Sequence, residues 1–489
     1  MGKKASIKAN YLYNVCFQVV NILAPLITTP YVSRILRPEG IGEYSYINSI
    51  VTYFITLAIL GSAPYAQREI SYRKDNRLES SCLFWEMVLF RVITTVVSLL
   101  LYTIVIYTVP SEVHIFYIFQ GLNILAVAAD ITWFFQGLEE FKKITTCNLA
   151  IRSVNIILIF TMVKTKEDLW KYCLIISGLT LLGNIAIWGY LSKYLVKISV
   201  HKLRIKQHWK GIFQLFIPTI AVYIYRALDK FMIGQVSSGR LENGYYEQAD
   251  KIVHMCMMIA ASFSTVMAPR IAAAISQKDG KLLKVYMYKT FDFLMFITLP
   301  MAVGLIVISD LFIPWFLGEG YDKTIFLLKI FAPIIVIVSL SNATGMQYLI
   351  QARKQTAYTV SICIGAGVNF LANLVLIPYF YSVGAAVASV LAETFILVIQ
   401  LWYICNKIKA FELKQIFRKC WSYLTNSMVM LCILVILAKL LPQNLFGIVL
   451  LISIGVFIYG GLLCLKKDEL LVELFTGLKN KIKFGDKND

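Results

Sequence analysis

The stretch YIYRALDKFMIGQ, at residues 223–235, places three charged side chains inside a strongly apolar run. Arg226, Asp229 and Lys230 fall at i, i+3 and i+4, so on a helix they share one face. Apolar sequence continues on both sides, and about 20 such residues cross the roughly 30 Å of a bilayer's hydrocarbon. The stretch therefore predicts a membrane-spanning helix that carries charge at membrane depth.

The composition of the whole chain agrees with a membrane protein. Of 489 residues, 58% are hydrophobic and 15% are charged, whereas soluble domains average about 45–50% apolar and about 25% charged residues. The apolar residues form blocks of about 20 rather than the alternating segments of about 10 residues that build membrane barrels. The expected fold class is an all-α integral membrane protein.

The apolar blocks predict about 14 transmembrane helices. They lie at residues 12–31, 41–63, 82–107, 113–135, 145–163, 169–191, 211–234, 245–268, 286–309, 324–350, 356–377, 384–404, 420–440 and 444–465. The connections between them are short, so none can fold into a separate domain.

Basic residues divide unevenly between the two sides of this layout. The termini and alternate connections together hold 32 Lys and Arg residues, and the remaining connections hold six. By the positive-inside rule, both termini are then cytoplasmic. The net charge of +19 is explained by this bias and by attraction to anionic membrane lipids, so no nucleic-acid partner is expected.

Two parts of the chain show weak internal similarity. PEGIGEYSYINSIV (38–51) resembles LENGYYEQADKIV (241–253), and EEFKKITT (139–146) resembles QARKQTAY (351–358). Such repeats are typical of transporters. They predict two pseudo-symmetric six-helix lobes, an N-terminal lobe at 1–195 and a C-terminal lobe at 196–410, followed by two C-terminal helices and a basic tail at 411–489.

Ionisable side chains at membrane depth are costly unless they are paired or face water, so they are candidates for function. Span 8 also carries ionisable residues at a similar depth, namely Glu247, Asp250, Lys251 and His254. The outer ends of spans 1 and 2 carry Arg34, Arg37, Glu39 and Glu43. We expect these groups to surround a hydrated cavity. A purely structural lock of salt bridges is the alternative.

A cationic cavity suits an anionic ligand, because arginine binds phosphate or carboxylate oxygens through two hydrogen bonds. A lipid-linked sugar diphosphate has such a headgroup, and its tail can stay in the bilayer. Isolated charges elsewhere have the simpler readings of snorkelling or structural pairing; these are Arg91, Asp130, Arg152, Lys289, Asp292 and Glu393.

Several segments resemble one known family, in order along nearly the whole chain. They are SRILRPEGIGEYSYINSI (33–50), DITWFFQGLEEFKKITT (130–146), RALDKFMIGQ (226–235), NGYYEQADKIV (243–253) and NLVLIPYFYSVGAAVASVLAE (373–393). They are similar to the polysaccharide transporter, or Wzx-type flippase, family of the multidrug/oligosaccharidyl-lipid/polysaccharide exporter superfamily. The resemblance implies passage of an undecaprenyl-pyrophosphate-linked oligosaccharide from the inner to the outer leaflet of the bacterial plasma membrane.

The resemblance also implies roles for individual residues. Substrate-binding cations of the cavity would be Arg226, Lys230, Lys251, Arg91 and Arg152. Gating or ion-coupling residues would be Asp229, Asp250, Glu247, Arg34 and Glu43. No catalytic residue, metal site or cofactor is expected, and coupling to protons or sodium is left open.

Other functions stay open at this point. Within the superfamily they are a cation-coupled multidrug antiporter, which would prefer an acidic aromatic cavity, and a lipid-linked peptidoglycan precursor flippase. From another class comes a membrane polysaccharide polymerase or ligase, for which the short loops leave little room. The expected partners are the lipid-linked oligosaccharide, membrane lipids, a polysaccharide polymerase and glycosyltransferases.

Overall fold

In a computed structural model of the chain, the structure describes residues 7–199, 203–237, 240–442 and 444–472. Side chains are described within these ranges except at 7–23, 214–215, 217–226 and 265. The described chain is helical nearly throughout and contains no β-strand. The prediction of an all-α fold is confirmed.

The described ranges contain sixteen α-helices, and two of them continue as π-helical segments. The α-helices are α1 (Ile7–Ile59), α2 (Ser62–Arg73), α3 (Arg77–Thr108), α4 (His114–Ala129), α5 (Thr132–Gly137), α6 (Phe141–Met162), α7 (Leu169–Ile187), α8 (Trp209–Val236), α9 (Leu241–Ser276), α10 (Gly280–Phe316), α11 (Asp322–Asn342), α12 (Gln355–Phe380), α13 (Ser382–Trp402), α14 (Leu413–Ile416), α15 (Cys420–Ala438) and α16 (Leu445–Leu465). The π-helical segments are Ala343–Leu349 after α11 and Tyr403–Lys407 after α13.

Every predicted span coincides with helical chain, although the span at 113–135 is divided between α4 and α5 and the span at 41–63 runs from α1 into α2. In the described part of the chain, 11 helical stretches are long and apolar enough to cross a membrane, or 12 if the bent α9 counts as one span. That number counts α1 once, although α1 contains two predicted spans. It omits α8, whose central side chains lie outside the described residues. The chain is a multi-pass membrane protein.

The first helix is too long for one crossing and is broken where the sequence predicts a connection. It has 53 residues, and at 1.5 Å per residue this length exceeds twice the thickness of the hydrocarbon core. Arg37 interrupts it with φ 55° and ψ 176°, a backbone conformation that L-residues seldom adopt. Spans 1 and 2 are therefore the two parts of α1 on either side of Arg37.

The segment after span 2 is helical, whereas the sequence analysis treats it as a loop. Helix α2 buries Tyr65, Ala66 and Ile70 and exposes Arg68. This i, i+1, i+5 arrangement is one side of a short amphipathic helix. This helix has only 12 residues and many charges. It therefore contains no apolar block of membrane length, which is the signal from which the other helices are predicted.

The chain forms two compact units. The first unit is Met1–Glu247 with Phe370–Ala385, and the second unit is Gln248–Asn369 with Ala386–Asp489. Within the first unit, α1 packs against α3, α4, α6 and α8. Within the second unit, α10 packs against α11, α15 and α16. The lobe boundaries at 195 and 410 and the pseudo-symmetry of the lobes stay predictions.

Candidate substrate and coupling site

The opening stretch forms the second half of α8, where it carries a buried carboxylate. Asp229 is only 3% exposed. Its Oδ2 accepts a hydrogen bond from the Tyr246 hydroxyl at 2.6 Å, and its Oδ1 accepts one from Asn373 Nδ2 at 2.5 Å. All three residues belong to the first unit. The side chain of Arg226, the first charge of the stretch, lies outside the described residues.

Lys230 follows directly and is paired with the first turns of α9. Its Nζ lies 2.8 Å from Glu247 Oε2, and Ser45 of α1 donates a hydrogen bond to the same oxygen at 2.6 Å. The Lys230 carbonyl accepts a hydrogen bond from Asn243 Nδ2 at 2.6 Å. The structure thus brings together three of the predicted site residues, Asp229, Lys230 and Glu247, within one unit.

A second ion pair joins α1 to the connection between α8 and α9. Arg240 Nε lies 3.2 Å from Glu43 Oε2, and the guanidinium lies 3.7 Å from the centre of the Tyr46 ring. A cation over an aromatic face is stabilised by the ring's electrons. The predicted coupling residue Glu43 is therefore neutralised locally, whereas Arg34, another predicted residue of this group, is exposed on α1.

Two glycines allow these helices to approach within backbone contact. A Cβ at Gly244 would overlap the carbonyl of Pro38, and a Cβ at Gly42 would overlap the carbonyl of Arg240. Larger residues at either position would separate α1 from the start of α9. The close approach places Ser45 and Glu43 where they can reach Glu247 and Arg240.

The remaining predicted residues of α9 lie in the second unit. Asp250 is half-buried, and its Oδ1 lies 3.3 Å from Nε2 of His254, one turn further along the same helix. Lys251 is also half-buried. Their predicted roles in coupling and substrate binding stay predictions.

Arg91 is buried, and its Nε and Nη1 are engaged by neighbouring helices, while its Nη2 is buried without a hydrogen-bond partner among the described residues. It is 1% exposed, and its Nη1 lies 3.1 Å from Asp130 Oδ2 and 2.6 Å from the Asp130 carbonyl. Its Nε donates to the Ser62 hydroxyl at 3.0 Å, and the guanidinium packs over Trp133. This geometry is typical of structural pairing between helices, which was the alternative interpretation for isolated charges. The predicted substrate-binding role of Arg91 stays a prediction.

We expect Arg91→Leu to destabilise the protein rather than to alter its substrate preference. The arginine is buried but Asp130 is 26% accessible, so removing the arginine should cost less than the about 3–5 kcal/mol of a fully buried pair, and the midpoint of thermal unfolding in detergent should still fall measurably. Arg68→Leu, which changes an exposed arginine of α2 (side chain 44% accessible), should leave the midpoint unchanged. Normal stability of Arg91→Leu combined with lost transport would place Arg91 in the substrate site instead.

Arg152 differs from Arg91 because it has no such partners. It lies near the middle of α6 and is half-buried. No hydrogen bond or ion pair joins its side chain to any residue that the structure describes. The positive charge of Arg152 is therefore available to a ligand.

A buried polar network that the apolar pattern does not predict links α2, α3 and the segment that precedes α8. The Tyr65 hydroxyl lies 2.8 Å from His208 Nδ1, and His208 Nε2 lies 2.7 Å from Glu86 Oε2. The backbone N–H of Arg204 donates to Glu86 Oε1 at 2.6 Å. The network anchors the segment before α8 to α3. The isolated Glu86 within the apolar run of span 3 was the signal that could have revealed it.

Among the described residues, no three His, Cys, Asp or Glu side chains gather in a way that could hold a metal ion. Asp229, Lys230, Glu43 and Glu247 of the first unit instead pair with oppositely charged, hydroxyl or amide groups. Such an arrangement can bind and release ions or an anionic headgroup through small changes in pairing.

The fold is that of a membrane transporter. A solved structure of the lipid II flippase MurJ in an inward closed conformation matches with a TM-score of 0.69 at 15% identity, covering 95% of this chain and 98% of that chain. An inward-facing multidrug resistance MATE family transporter of the MOP superfamily matches with a TM-score of 0.65 at 13% identity, covering 80% and 95% of the two chains. At these identities the likeness shows the fold alone.

Sequence comparison gives the family. A family model described as polysaccharide biosynthesis protein matches residues 7–275, more than half of the chain, so the chain belongs to this family. A putative O-antigen transporter of Escherichia coli K12 is 25% identical over 416 residues, which cover 82% of this chain and 98% of that protein. The lipopolysaccharide biosynthesis protein WzxC of the same organism is 22% identical over 355 residues, or 70% of each chain. The predicted resemblance and the predicted class, a transporter rather than an enzyme, are confirmed.

Proposed function

We propose that the chain is a flippase that moves an undecaprenyl-pyrophosphate-linked oligosaccharide from the inner to the outer leaflet of the bacterial plasma membrane, for surface polysaccharide biosynthesis. The observation that carries the proposal is the match to a putative O-antigen transporter along nearly its full length. The charged group on α8 and α9 supports it, because such groups are maintained in apolar helices where function requires them.

The chemistry of the group fits an anionic headgroup. Lys230, together with Arg226 on the same helix, would provide cations for a pyrophosphate, and Glu247 would hold Lys230 in the absence of substrate. An incoming pyrophosphate would take the place of Glu247 as the partner of Lys230. The exchange of one anionic partner for another lets the substrate bind without leaving a buried charge uncompensated.

Asp229 is the best-supported candidate for ion coupling. It is buried, and its two oxygens accept hydrogen bonds from Tyr246 and Asn373. A carboxylate so placed can take up a proton, or it can join the neighbouring oxygens in binding sodium. Either event would change the charge next to Lys230, and the substrate site would respond to the coupling ion. Asp250, with His254 as its neighbour, is the alternative.

The distribution of basic residues supports the proposed location. With 32 Lys and Arg residues on one predicted side and six on the other, both termini would face the cytoplasm. Glycosyltransferases would then build the lipid-linked unit on the cytoplasmic side. A polysaccharide polymerase would use the unit after its transfer to the outer leaflet.

Deletion of the gene in its bacterial host tests the proposal. We expect surface polysaccharide to disappear and the lipid-linked oligosaccharide to accumulate with its sugar on the cytoplasmic side. Loss of a polymerase would instead leave single repeat units at the surface, and loss of a multidrug antiporter would leave the polysaccharide unchanged. Either of these two results would overturn the proposed function.

A further inference from the structure

One face of α6 carries three polar side chains in the middle of a predicted membrane span. Asn148, Arg152 and Asn155 fall at i, i+4 and i+7, and this spacing places them in a line along one side of the helix. We call these three residues the α6 stripe. All three are half-buried.

The α6 stripe lies on the side of the helix opposite its exposed face. Seven exposed residues of α6 recur at helical spacing, and Met162 is exposed separately at the end of the helix; the seven are Lys142, Thr146, Ala150, Ser153, Val154, Ile157 and Thr161. At 100° per residue, their common direction is turned by about half a revolution from that of the stripe. The stripe therefore faces the interior of the first unit rather than the lipid.

Contacts on either side of α6 show which helices border the stripe. Ile151 packs over Gly183 of α7, where an added methyl group would lie 3.1 Å from it. Tyr31 of α1 stacks on Phe160, with ring centres 4.2 Å apart, and donates a hydrogen bond to the Val163 carbonyl at 2.8 Å. The stripe thus faces the space between α1 and α7.

The polar groups of the stripe have no partners in the part of the chain that the structure describes. No hydrogen bond or ion pair joins the side chains of Asn148, Arg152 or Asn155 to another described residue. Polar groups inside a protein are normally hydrogen-bonded, and an arginine at membrane depth must face a partner or water. Three neighbouring groups with this property indicate a hydrated cleft that is open to a ligand.

We propose that the α6 stripe is a saccharide subsite inside the first unit, which rests on the proposed flippase function. Asparagine amides both donate and accept hydrogen bonds, so Asn148 and Asn155 suit sugar hydroxyls on either side of Arg152. The guanidinium of Arg152 suits an anionic oxygen. That oxygen belongs either to the pyrophosphate of the carrier or to the carboxylate of an acidic sugar.

Thiol labelling tests the cleft independently of transport. Asn148→Cys and Asn155→Cys are each introduced into the otherwise unchanged chain, and intact membranes are treated with a membrane-impermeant maleimide. We expect labelling of both variants above that of the native cysteines, because maleimides react with hydrated thiolates. Ile157→Cys, on the exposed face at 60% accessibility, should add nothing. A stripe that labels no more than Ile157→Cys would overturn the proposal, whether or not the protein flips lipids.

Transport then identifies the source of the anionic oxygen. Wild-type protein and Arg152→Gln are reconstituted in liposomes with two probes, undecaprenyl pyrophosphate carrying a neutral trisaccharide and the same lipid carrying a trisaccharide with one uronic acid. We expect Arg152→Gln to slow transport about tenfold, the effect of losing one charge-assisted contact. If Arg152→Gln slows transport of both probes, Arg152 binds the pyrophosphate. If it slows transport of the acidic probe alone, Arg152 binds the sugar carboxylate.

Two controls separate the outcomes. Ser153→Ala, on the exposed face of the same helix, should transport like wild type. Wild-type activity of both Arg152→Gln and the double variant Asn148→Leu/Asn155→Leu would overturn the subsite while leaving the proposed function intact. Failure of the wild-type protein to flip either probe would instead count against the proposed function, and labelling would then decide whether the cleft exists.

Discussion

Replacing Asp229 with asparagine is expected to reduce surface polysaccharide by about a hundredfold or more, because both hydrogen bonds to the carboxylate lose its charge, each contributes about 1.5–3 kcal/mol, and 1.4 kcal/mol corresponds to a factor of ten. Asparagine keeps the size of the side chain but removes its charge and its capacity to bind a proton or sodium. The amount of protein in the membrane should be unchanged. The measurement is surface polysaccharide in a deletion strain complemented with each variant.

Tyr246→Phe is the matched control for this prediction. It removes one of the two hydrogen bonds that Asp229 accepts and leaves the carboxylate in place, so surface polysaccharide should fall about tenfold, as expected for about 1.5 kcal/mol from one hydrogen bond to a charged group. Asp229→Asn with normal output would exclude a coupling role for this residue. Equal losses in the two variants would show that the geometry of the carboxylate matters rather than its charge.

Removing both cations of α8, with the double variant Arg226→Ala/Lys230→Ala, should abolish surface polysaccharide. The reason is that the proposed pyrophosphate site loses its positive charge, while Glu247 loses the partner that lies 2.8 Å away. Membrane insertion should persist, because the flanking segments of α8 remain apolar. Immunoblotting of the membrane fraction provides the control for expression.

Exchanging the charges of one pair separates binding from structure. In Lys230→Glu/Glu247→Lys the salt bridge can form again, but the cation sits on α9 instead of α8. We expect the amount of surface polysaccharide to stay low, because the substrate site needs its cation at position 230 and not only the same net charge. Recovery of normal output would support the structural lock and remove Lys230 from the substrate site.

The helices could be predicted from the sequence because apolar blocks of membrane length are a direct physical signal. All fourteen predicted spans lie on described helices. The amphipathic helix α2 escaped because it is short and rich in charge. The division into two units could not be predicted from the sequence either. Phe370–Ala385 belongs to the first unit because it contacts residues that are far from it in the sequence.

The candidate site was only partly predictable for the same reason. Charges in apolar segments identify Asp229, Lys230 and Glu247, and helical periodicity places the first two on the face that carries Arg226. Their partners cannot be read from local pattern: Asn373 lies 144 positions from Asp229, and Ser45 lies 202 positions from Glu247. Arg240 lies in a predicted connection between spans, where no local pattern indicates that it pairs with Glu43 and covers Tyr46.

Arg91 and Arg152 show why a charge in a span does not by itself define a site. Both are single arginines in apolar helices, and no sequence motif distinguishes one from the other. Arg91 is engaged by Asp130 and Ser62, whereas Arg152 and its two asparagine neighbours face the interior without described partners. Tertiary surroundings, rather than residue type, decide which cation is available to a ligand.

Flipping by the purified protein tests the central claim most directly. The protein is reconstituted in liposomes that contain undecaprenyl pyrophosphate linked to a fluorescent oligosaccharide, and the fraction of label accessible to a membrane-impermeant quencher is followed after addition of the protein. Wild-type protein should exchange the lipid between leaflets, and Arg226→Ala/Lys230→Ala should not. Exchange no faster than in protein-free liposomes, across imposed proton and sodium gradients, would contradict it.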